Sequence, residues 1–313
     1  MSASVLVVCG PTATGKTALS IALARALGGE IVSADSMQVY RGMDIGTAKA
    51  TPQERAQAVH HMLDVADPSE NYSVARYVED ASRCCDDILA RGKLPIITGG
   101  TGLYIDSLLA GRSFDGAPDG GACRAALDGE YDRLGGEAML ARLRAVDPAR
   151  ADKLHPADRR RIVRALEVYE TTGMTITEHD ERTRRQSARY EARRIVLSYA
   201  DRDALYARID RRVDEMAAHG LFEEVEGLLA AGLSADCTAM QAIGYKEAAL
   251  FLRGELTRGE ALAQIRQASR RYAKRQLTWF RRTAEARWIL WEGAPDIEAA
   301  AEAIRNSEFG IRN

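Results

Sequence analysis

The sequence predicts an α/β fold: a parallel sheet flanked by helices on both faces, carrying a helical insertion. Three observations lead there. Short apolar runs rich in β-branched residues alternate with stretches that are apolar at helical spacing. The early runs end in turns bearing glycine or aspartate, where strands of an open parallel sheet meet a ligand. The alternation then stops after about Arg112, and helical patterning alone continues to about Tyr190.

Each element follows in order. Val5–Val8 reads as a buried strand ending at Gly10, and KTALSIALARAL (16–27) as a helix stopped by Gly28 and Gly29. Glu30–Ala34 is a second strand, ending in Asp35; Tyr77–Leu89 is a helix; Leu94–Thr98 is a third strand, closed by Gly99 and Gly100. The segment SFDGAPDGGA reads as a turn-rich connection into the insertion. Arg194–Tyr199 is a returning strand, and residues 203–230 and 260–285 carry long helical patterns. The expected organisation is a core of residues 1–115 and 193–313 with an insertion over 116–192.

Composition narrows the class of function. Apolar residues make up 46% of the 313 and charged residues 28%, which suits a folded globular chain. No run approaches the ~20 apolar residues of a membrane span, and the first residues lack the basic start of a signal peptide, so a cytoplasmic protein without a membrane partner is expected. The five cysteines have no paired C-x-x-C spacing, which argues against a disulfide framework or a cysteine zinc site. His60-His61 has no metal-binding spacing either and reads as structural or surface. Net charge is −2, yet basic residues cluster at 159–164, 182–194 and 266–282, the last with seven basic residues and no acidic one. On a helix, Arg266, Arg270, Lys274 and Arg281 share one arc, widened by Arg271, Arg275 and Arg282. Ile265, Tyr272, Trp279 and Phe280 share the other half, with Leu277 the exception. A basic face of that kind suits a polyanion such as a phosphate backbone; a salt-bridged helix surface is the competing reading.

The chemistry concentrates in three places. Gly10, Pro11, Thr12, Ala13, Thr14, Gly15, Lys16 and Thr17 match G-x-x-x-x-G-K-[ST] between a strand and a helix, which makes the fold P-loop NTPase-like. Loop N–H groups and the Lys16 ammonium attract phosphates, and the Thr17 hydroxyl can hold Mg²⁺. No apolar run ends in the paired acids that accompany nucleotide hydrolysis. Asp35 ends the second strand and can serve as a base, as a metal ligand or as the cap of the turn after it. Thr101 lies in TGGTGLY (98–104), a glycine-rich turn on the same rim. Arg208 and Arg212 lie one helical turn apart and either clamp a diphosphate or form surface ion pairs. From these residues alone a small-molecule kinase stands first, and a nucleotide-switched RNA-binding protein is a further reading.

Eight blocks taken together are more specific. GPTATGKT (10–17), DSMQVYRGMDIGTAK (35–49), YSVARY (72–77), TGGTGLY (98–104), HPADRRRIVRALEVYETTG (155–173), ARIDRRVDEM (207–216), MQAIGYKE (240–247) and RRYAKRQLTWFR (270–281) resemble the tRNA dimethylallyltransferases, or tRNA isopentenyltransferases, over nearly the whole chain. The resemblance implies transfer of a dimethylallyl group from dimethylallyl diphosphate to the exocyclic amino group of the adenosine 3′ of the tRNA anticodon. The loop would then hold an isoprenoid diphosphate with Mg²⁺, and no hydrolytic acid is needed. It implies Asp35 as general base, with Lys16, Thr17 and Arg212 on the donor diphosphate. It implies Ser36, Met37 and Gln38 at the target nucleotide and Thr101 at the channel where base meets donor. It further implies contacts to the anticodon stem-loop from Arg159, Arg160, Arg161, Ile162 and Val163, and from Gln241, Ala242, Ile243, Gly244, Tyr245, Lys246 and Glu247. One departure is Cys123, which stands where the family has a tRNA-contacting arginine, with Arg124 beside it. Without the C-terminal zinc finger of eukaryotic members, a bacterial-type enzyme acting as a monomer is expected.

Overall fold

The computed structural model describes residues 4–112, 121–185, 187–283 and 285–308, with the side chains of residues 184 and 185 outside that set. Most of the SFDGAPDGGA connection, residues 113–120, also lies outside it. The chain divides into two compact units, residues 1–111 with 189–313, and residues 112–188.

The first unit is built on one parallel sheet. Its strands are β1 (Ser4–Cys9), β2 (Gly29–Ser33), β3 (His60–His61), β4 (Leu94–Gly99), β5 (Glu191–Tyr199) and β6 (Arg287–Trp291), in spatial order β3-β2-β4-β1-β5-β6. β1 pairs with β4 from Leu6↔Ile96 to Cys9↔Gly99, and with β5 from Ser4↔Glu191 to Cys9↔Val196. The central strand is buried along Val5–Cys9, as a strand covered on both faces must be. Leu6, Val8, Ile96, Ile195 and Leu197 pack with Leu19 and Leu23 of α1 (Lys16–Leu27) and with Ile304 near the chain end.

Between β2 and β4 lie α2 (Pro52–Arg55) and α3 (Val74–Ala90), and α4 (Gly102–Ala110) follows β4. The second unit holds α5 (Ala122–Leu134), α6 (Gly136–Val146), α7 (Pro148–Ala151), α8 (Arg159–Thr172) and α9 (Ile176–Arg185). Its own core joins Leu127, Met139, Leu143, Ile162 and Leu166. After β5 come α10 (Arg202–Ala218), α11 (Leu221–Ala230), α12 (Tyr245–Leu252), α13 (Arg258–Phe280) and, beyond β6, α14 (Ile297–Glu308). Among the described residues no helix is long and apolar enough to cross a membrane. No disulfide joins cysteines among the described residues, and burial pushes the thiols of Cys9 and Cys85 up to about 12.

Several boundaries differ from the sequence expectation, each for a local reason. The pattern over 203–230 is two helices, because Gly220 at φ 100° ends one and starts the next. The 260–285 helix runs Arg258–Phe280, opened by a capping box in which Thr257 accepts from Glu260 N and Glu260 returns the bond. The second strand ends at Ser33 and the returning strand begins earlier, at Glu191. Two edge strands escape periodicity altogether. β3 is two residues long, and β6 (RWILW) is only half-buried along most of its length, so neither shows a clear alternation.

Candidate functional site

The carboxyl ends of β1, β2 and β4 form one rim. At β1, Gly10 takes φ 141°, and a side chain there would run into the Leu197 carbonyl of β5. The loop turns through Ala13 at φ 66° and Gly15 at φ 85° into α1. Thr14 is fully buried, its Oγ1 donating to the Pro11 carbonyl at 2.9 Å, while Trp291 Nε1 of β6 donates to the Thr14 carbonyl at 3.0 Å. No side chain caps α1 and no acid sits in its first turn, so its N–H groups are left for an anion.

Lys16 Nζ donates to the Pro11 carbonyl at 2.6 Å. Burial brings its ammonium down to about 8, and the neighbouring Arg212 guanidinium pushes the same way, against the pull of Asp35 and Cys9. Arg212, on α10, is likewise lowered by burial, opposed first by Asp35, and among the described residues its buried Nε has no hydrogen-bond partner. Two half-buried cations are thus partly desolvated near one another, and Asp35 is the carboxylate that draws both. That arrangement is unfavourable until an anion arrives. Of the two arginines singled out on this helix, Arg208 is the ordinary ion pair, with Glu215 at 3.1 Å.

The loop after β2 starts with Asp35. Its Oδ1 accepts from Met37 N at 2.9 Å and Gln38 N at 3.4 Å, and among the described residues its Oδ2 accepts nothing. The carboxylate therefore caps the turn with one oxygen and presents the other. Gln38 is pinned in turn: Ser33 Oγ donates to its Oε1 at 3.2 Å, and its Nε2 donates to the Thr47 carbonyl at 3.1 Å. Thr101, after β4, joins this loop to its own. Ser36 N donates to Thr101 Oγ1 at 3.2 Å, and Thr101 N donates to the Ala34 carbonyl at 3.2 Å.

Three further residues reach the rim from α13. Gln276 is 5% exposed, accepts from Thr12 N at 3.1 Å and donates to the Gly100 carbonyl at 2.9 Å. The Tyr272 phenol is pushed up to about 12, first by burial and then by the Asp35 charge, against hydrogen bonding from Thr101 and Gln276. Trp279 Nε1 donates to Asp106 Oδ2 at 2.7 Å, and its ring lies against Gly102, where a side chain would collide with it. Sequence patterning missed their role. The signal was there in Gln276, a polar residue amid the arc of Ile265, Tyr272, Trp279 and Phe280, which a packed face tolerates only with partners.

A cavity of ≈ 30 Å³ lies behind Thr17, lined also by Ser20, Ser33, Gln38, His60, Leu63 and Thr98. It suits a water, not a five-carbon group. His60 Nε2 is buried there without a partner, and burial lowers the imidazole. His61 pairs with Glu30 at 2.7 Å, and His60 Nδ1 bonds the Ala58 carbonyl at 2.8 Å; both residues form the edge strand β3. The Thr17 hydroxyl makes no hydrogen bond among the described residues, whereas Ser20 and Thr98 share one at 2.7 Å and Ser33 donates to Gln38; Thr17 is the oxygen of this lining that fits a hard cation such as Mg²⁺, with the rest of its ligands to come from the diphosphate.

The structure corrects part of the expected RNA surface. Ile162 and Val163 are buried in the core of the second unit and offer it no side chain. Arg159 is paired with Asp128 and Asp132, leaving Arg160 and Arg161 exposed. In 241–247, Ala242, Gly244, Tyr245 and Glu247 are buried, Ile243 is half-buried, and only Gln241 and Lys246 are exposed. Tyr245 instead donates to Glu224, whose carboxylate also accepts from Asp44 N, Ile45 N and Gly46 N at 2.9, 2.8 and 3.2 Å. Glu247 caps α12 through Gly244 N. Cys123 Sγ donates to Glu170 at 3.4 Å, and Arg124 is engaged by the buried Glu167 at 2.7 Å.

Comparison with known proteins places this rim in a family. The family model described as IPP transferase matches residues 38–283, and that of isopentenyl transferase matches residues 3–65. The chain belongs to the IPP transferase family. It is 49% identical to a tRNA dimethylallyltransferase of Geobacillus kaustophilus over 97% of this chain and 96% of that one. It is 48% identical to the enzyme of that name from Geobacter sulfurreducens, over 91% of each. Among solved structures, the full-length tRNA isopentenylpyrophosphate transferase of Bacillus halodurans superposes with a TM-score of 0.73 at 40% identity, covering 98% of this chain and 96% of that one. A eukaryotic dimethylallyltransferase solved acting on tRNA superposes with a TM-score of 0.81 at 29% identity, covering 98% of this chain and 79% of that one.

Proposed function

We propose that this IPP transferase family member transfers a dimethylallyl group from dimethylallyl diphosphate to the exocyclic amino group of the adenosine 3′ of the tRNA anticodon, releasing diphosphate. One observation carries the reading to residues. Lys16 and Arg212, both half-buried and lowered by desolvation, are each drawn by the Asp35 carboxylate, which is the acid common to the two. A diphosphate settling on the loop and on the α1 N-terminus supplies the missing negative charge. It gains charge as it leaves, so Lys16, Arg212 and the loop N–H groups hold the transition state more strongly than the ground state. Thr17 and the diphosphate oxygens would hold Mg²⁺, which neutralises charge on the leaving group.

The acceptor nitrogen is weakly nucleophilic because its lone pair is delocalised into the purine. As it bonds to the allylic carbon, the carbon–oxygen bond to diphosphate breaks and the pair leaves with oxygen. The proton released from nitrogen goes to Asp35. The base must be turned out of its stack to reach this rim, where Ser36–Gln38 and Thr101, neighbours of the carboxylate, would receive it. Exposed Arg160, Arg161, Gln241 and Lys246, with the exposed basic residues of α13, meet the anticodon stem-loop. We read the protein as cytoplasmic, where a tRNA acceptor is met, and as working as a monomer.

The test mixes protein, Mg²⁺, dimethylallyl diphosphate and unmodified tRNA, and looks by mass spectrometry for a nucleoside heavier by one C₅H₈ unit. Asp35→Ala should lower turnover by ~10²-fold while tRNA still binds. Prenylated AMP in place of tRNA, or phosphate passed from ATP to a small acceptor, would replace this reading with another.

A further inference from the structure

We infer that Gln276 is a positioning residue, which sets the loop carrying Lys16 and the loop carrying Thr101 at a fixed separation and so aligns donor with base. The inference rests on the transfer reading above. The two loops leave adjacent strands, and the ladder between them ends at Cys9↔Gly99. Beyond that pair, among the described residues, no backbone hydrogen bond joins the two loops. One planar amide does, since Gln276 Oε1 accepts from Thr12 N at 3.1 Å and Nε2 donates to the Gly100 carbonyl at 2.9 Å. Gly100 admits this approach because a side chain there would overlap Gln276 Nε2.

Each end of the amide leads to a reacting group. The Pro11–Thr12 peptide is planar, with N–H and C=O pointing in opposite directions. Its N–H is held by Gln276, and its C=O accepts Lys16 Nζ at 2.6 Å and Thr14 Oγ1 at 2.9 Å. Turning that peptide would move the lysine. At the other end, Gly100 precedes Thr101, whose Oγ1 holds Ser36 N at 3.2 Å, beside the base Asp35. The helix that carries Gln276 is itself anchored to α10 by Arg270–Asp210 at 2.6 Å and by Arg266–Asp214. α10 carries Arg212. The diphosphate cations and the base are therefore referred to one helix, and on it, among the described residues, Gln276 bonds both loops.

Two variants separate the two bonds. Gln276→Glu keeps an acceptor for Thr12 N but sets a carboxylate against the Gly100 carbonyl; Gln276→Leu removes both partners. We expect Gln276→Glu to bind dimethylallyl diphosphate within about threefold of the parent while kcat falls by about 10²-fold, the loss that a misplacement of about 1 Å brings. Gln276→Leu should lose donor affinity as well. A role in packing alone would lower thermal stability and leave kcat and KM within about twofold in both, and that result overturns the inference. If neither variant folds, amide exchange in the unmodified protein decides. A Thr12 amide protected before any ligand is added supports the bond, and one exchanging at solvent rate overturns it. A parent that makes no prenylated nucleoside would instead overturn the transfer reading, and the exchange result would still report on Gln276.

Discussion

Lys16 carries its charge at a cost that pH can reveal. Its ammonium titrates near 8 in the fold against 10.5 when unperturbed, because burial and Arg212 both disfavour the charged form. Below the folded value, lysine is protonated in both states and the penalty is complete. Between the two values the unfolded chain holds the proton more tightly, so stability rises with pH, and above the upper value the effect ends. A bound diphosphate reverses the balance by favouring the ammonium. Donor binding at about pH 9 should therefore take up close to one proton, measured by calorimetry in buffers of different ionisation enthalpy, and affinity should fall by up to about tenfold per pH unit above 8. In Lys16→Met the uptake should vanish. Uptake unchanged in that variant would remove the lysine from the diphosphate site.

At the scale of elements, the loop between β2 and α2 shows how distant residues hold a motif in shape. Lys49 is 6% exposed, its ammonium on the Tyr40 carbonyl at 2.7 Å, Asp44 at 2.6 Å and Asp64 at 2.7 Å. Glu224 holds the next turn by three consecutive N–H groups, and Tyr245 completes its coordination. Gly46 is glycine because a Cβ there would overlap the Tyr245 ring and come within 2.8 Å of Leu221. Gly46→Ala should lower stability by about 1–3 kcal/mol in urea unfolding, as overpacking does. Gly227→Ala, inside α11 where an added Cβ meets nothing within 4 Å, should raise it by about 0.5–1 kcal/mol. Equal effects would show that the crowding at Gly46 is relieved by movement of the loop. The α10–α11 break at Gly220 and the strand β6 were not legible in periodicity, because a glycine can continue or end a helix and a half-buried edge strand has no clean alternation. The strands β1, β4 and β5 were legible because burial on both faces demands unbroken apolar runs.

Over the whole molecule, charge is where pattern and structure part. The seven basic residues of 266–282 read as one outward face, yet Arg266 and Arg270 are neutralised by Asp214 and Asp210 of α10. Arg271, Lys274, Arg275, Arg281 and Arg282 are the exposed remainder. In the second unit Arg159 is spent on Asp128 and Asp132, while Arg160 and Arg161 are exposed. If this surface meets RNA phosphates, Arg160→Gln and Arg161→Gln should each reduce the slope of log affinity for tRNA against log salt by about 1. Arg159→Gln should leave that slope nearly unchanged and instead lower the stability of the protein. A slope insensitive to all three would move the RNA contact elsewhere.

Local rules explain which features were readable from the chain. The loop 10–17 needs glycines, a lysine and a hydroxyl at fixed spacing, because neighbouring backbone groups must converge on one anion, and such a constraint is written in consecutive residues. The same holds for the alternation of strands and helices and for Asp35 at the end of its strand. Which cations are paired and which motif residues are buried depend on partners tens of residues apart, as with Arg159 and Asp128 or Arg270 and Asp210, and Arg212 acts on Lys16 and Asp35 from more than 170 residues along the chain. Chain folding sets those distances, and no local period encodes them. Gln276 shows the division in one side chain: its place on the apolar arc was visible in the sequence, but its two partners, 264 and 176 residues away, exist only in the folded protein.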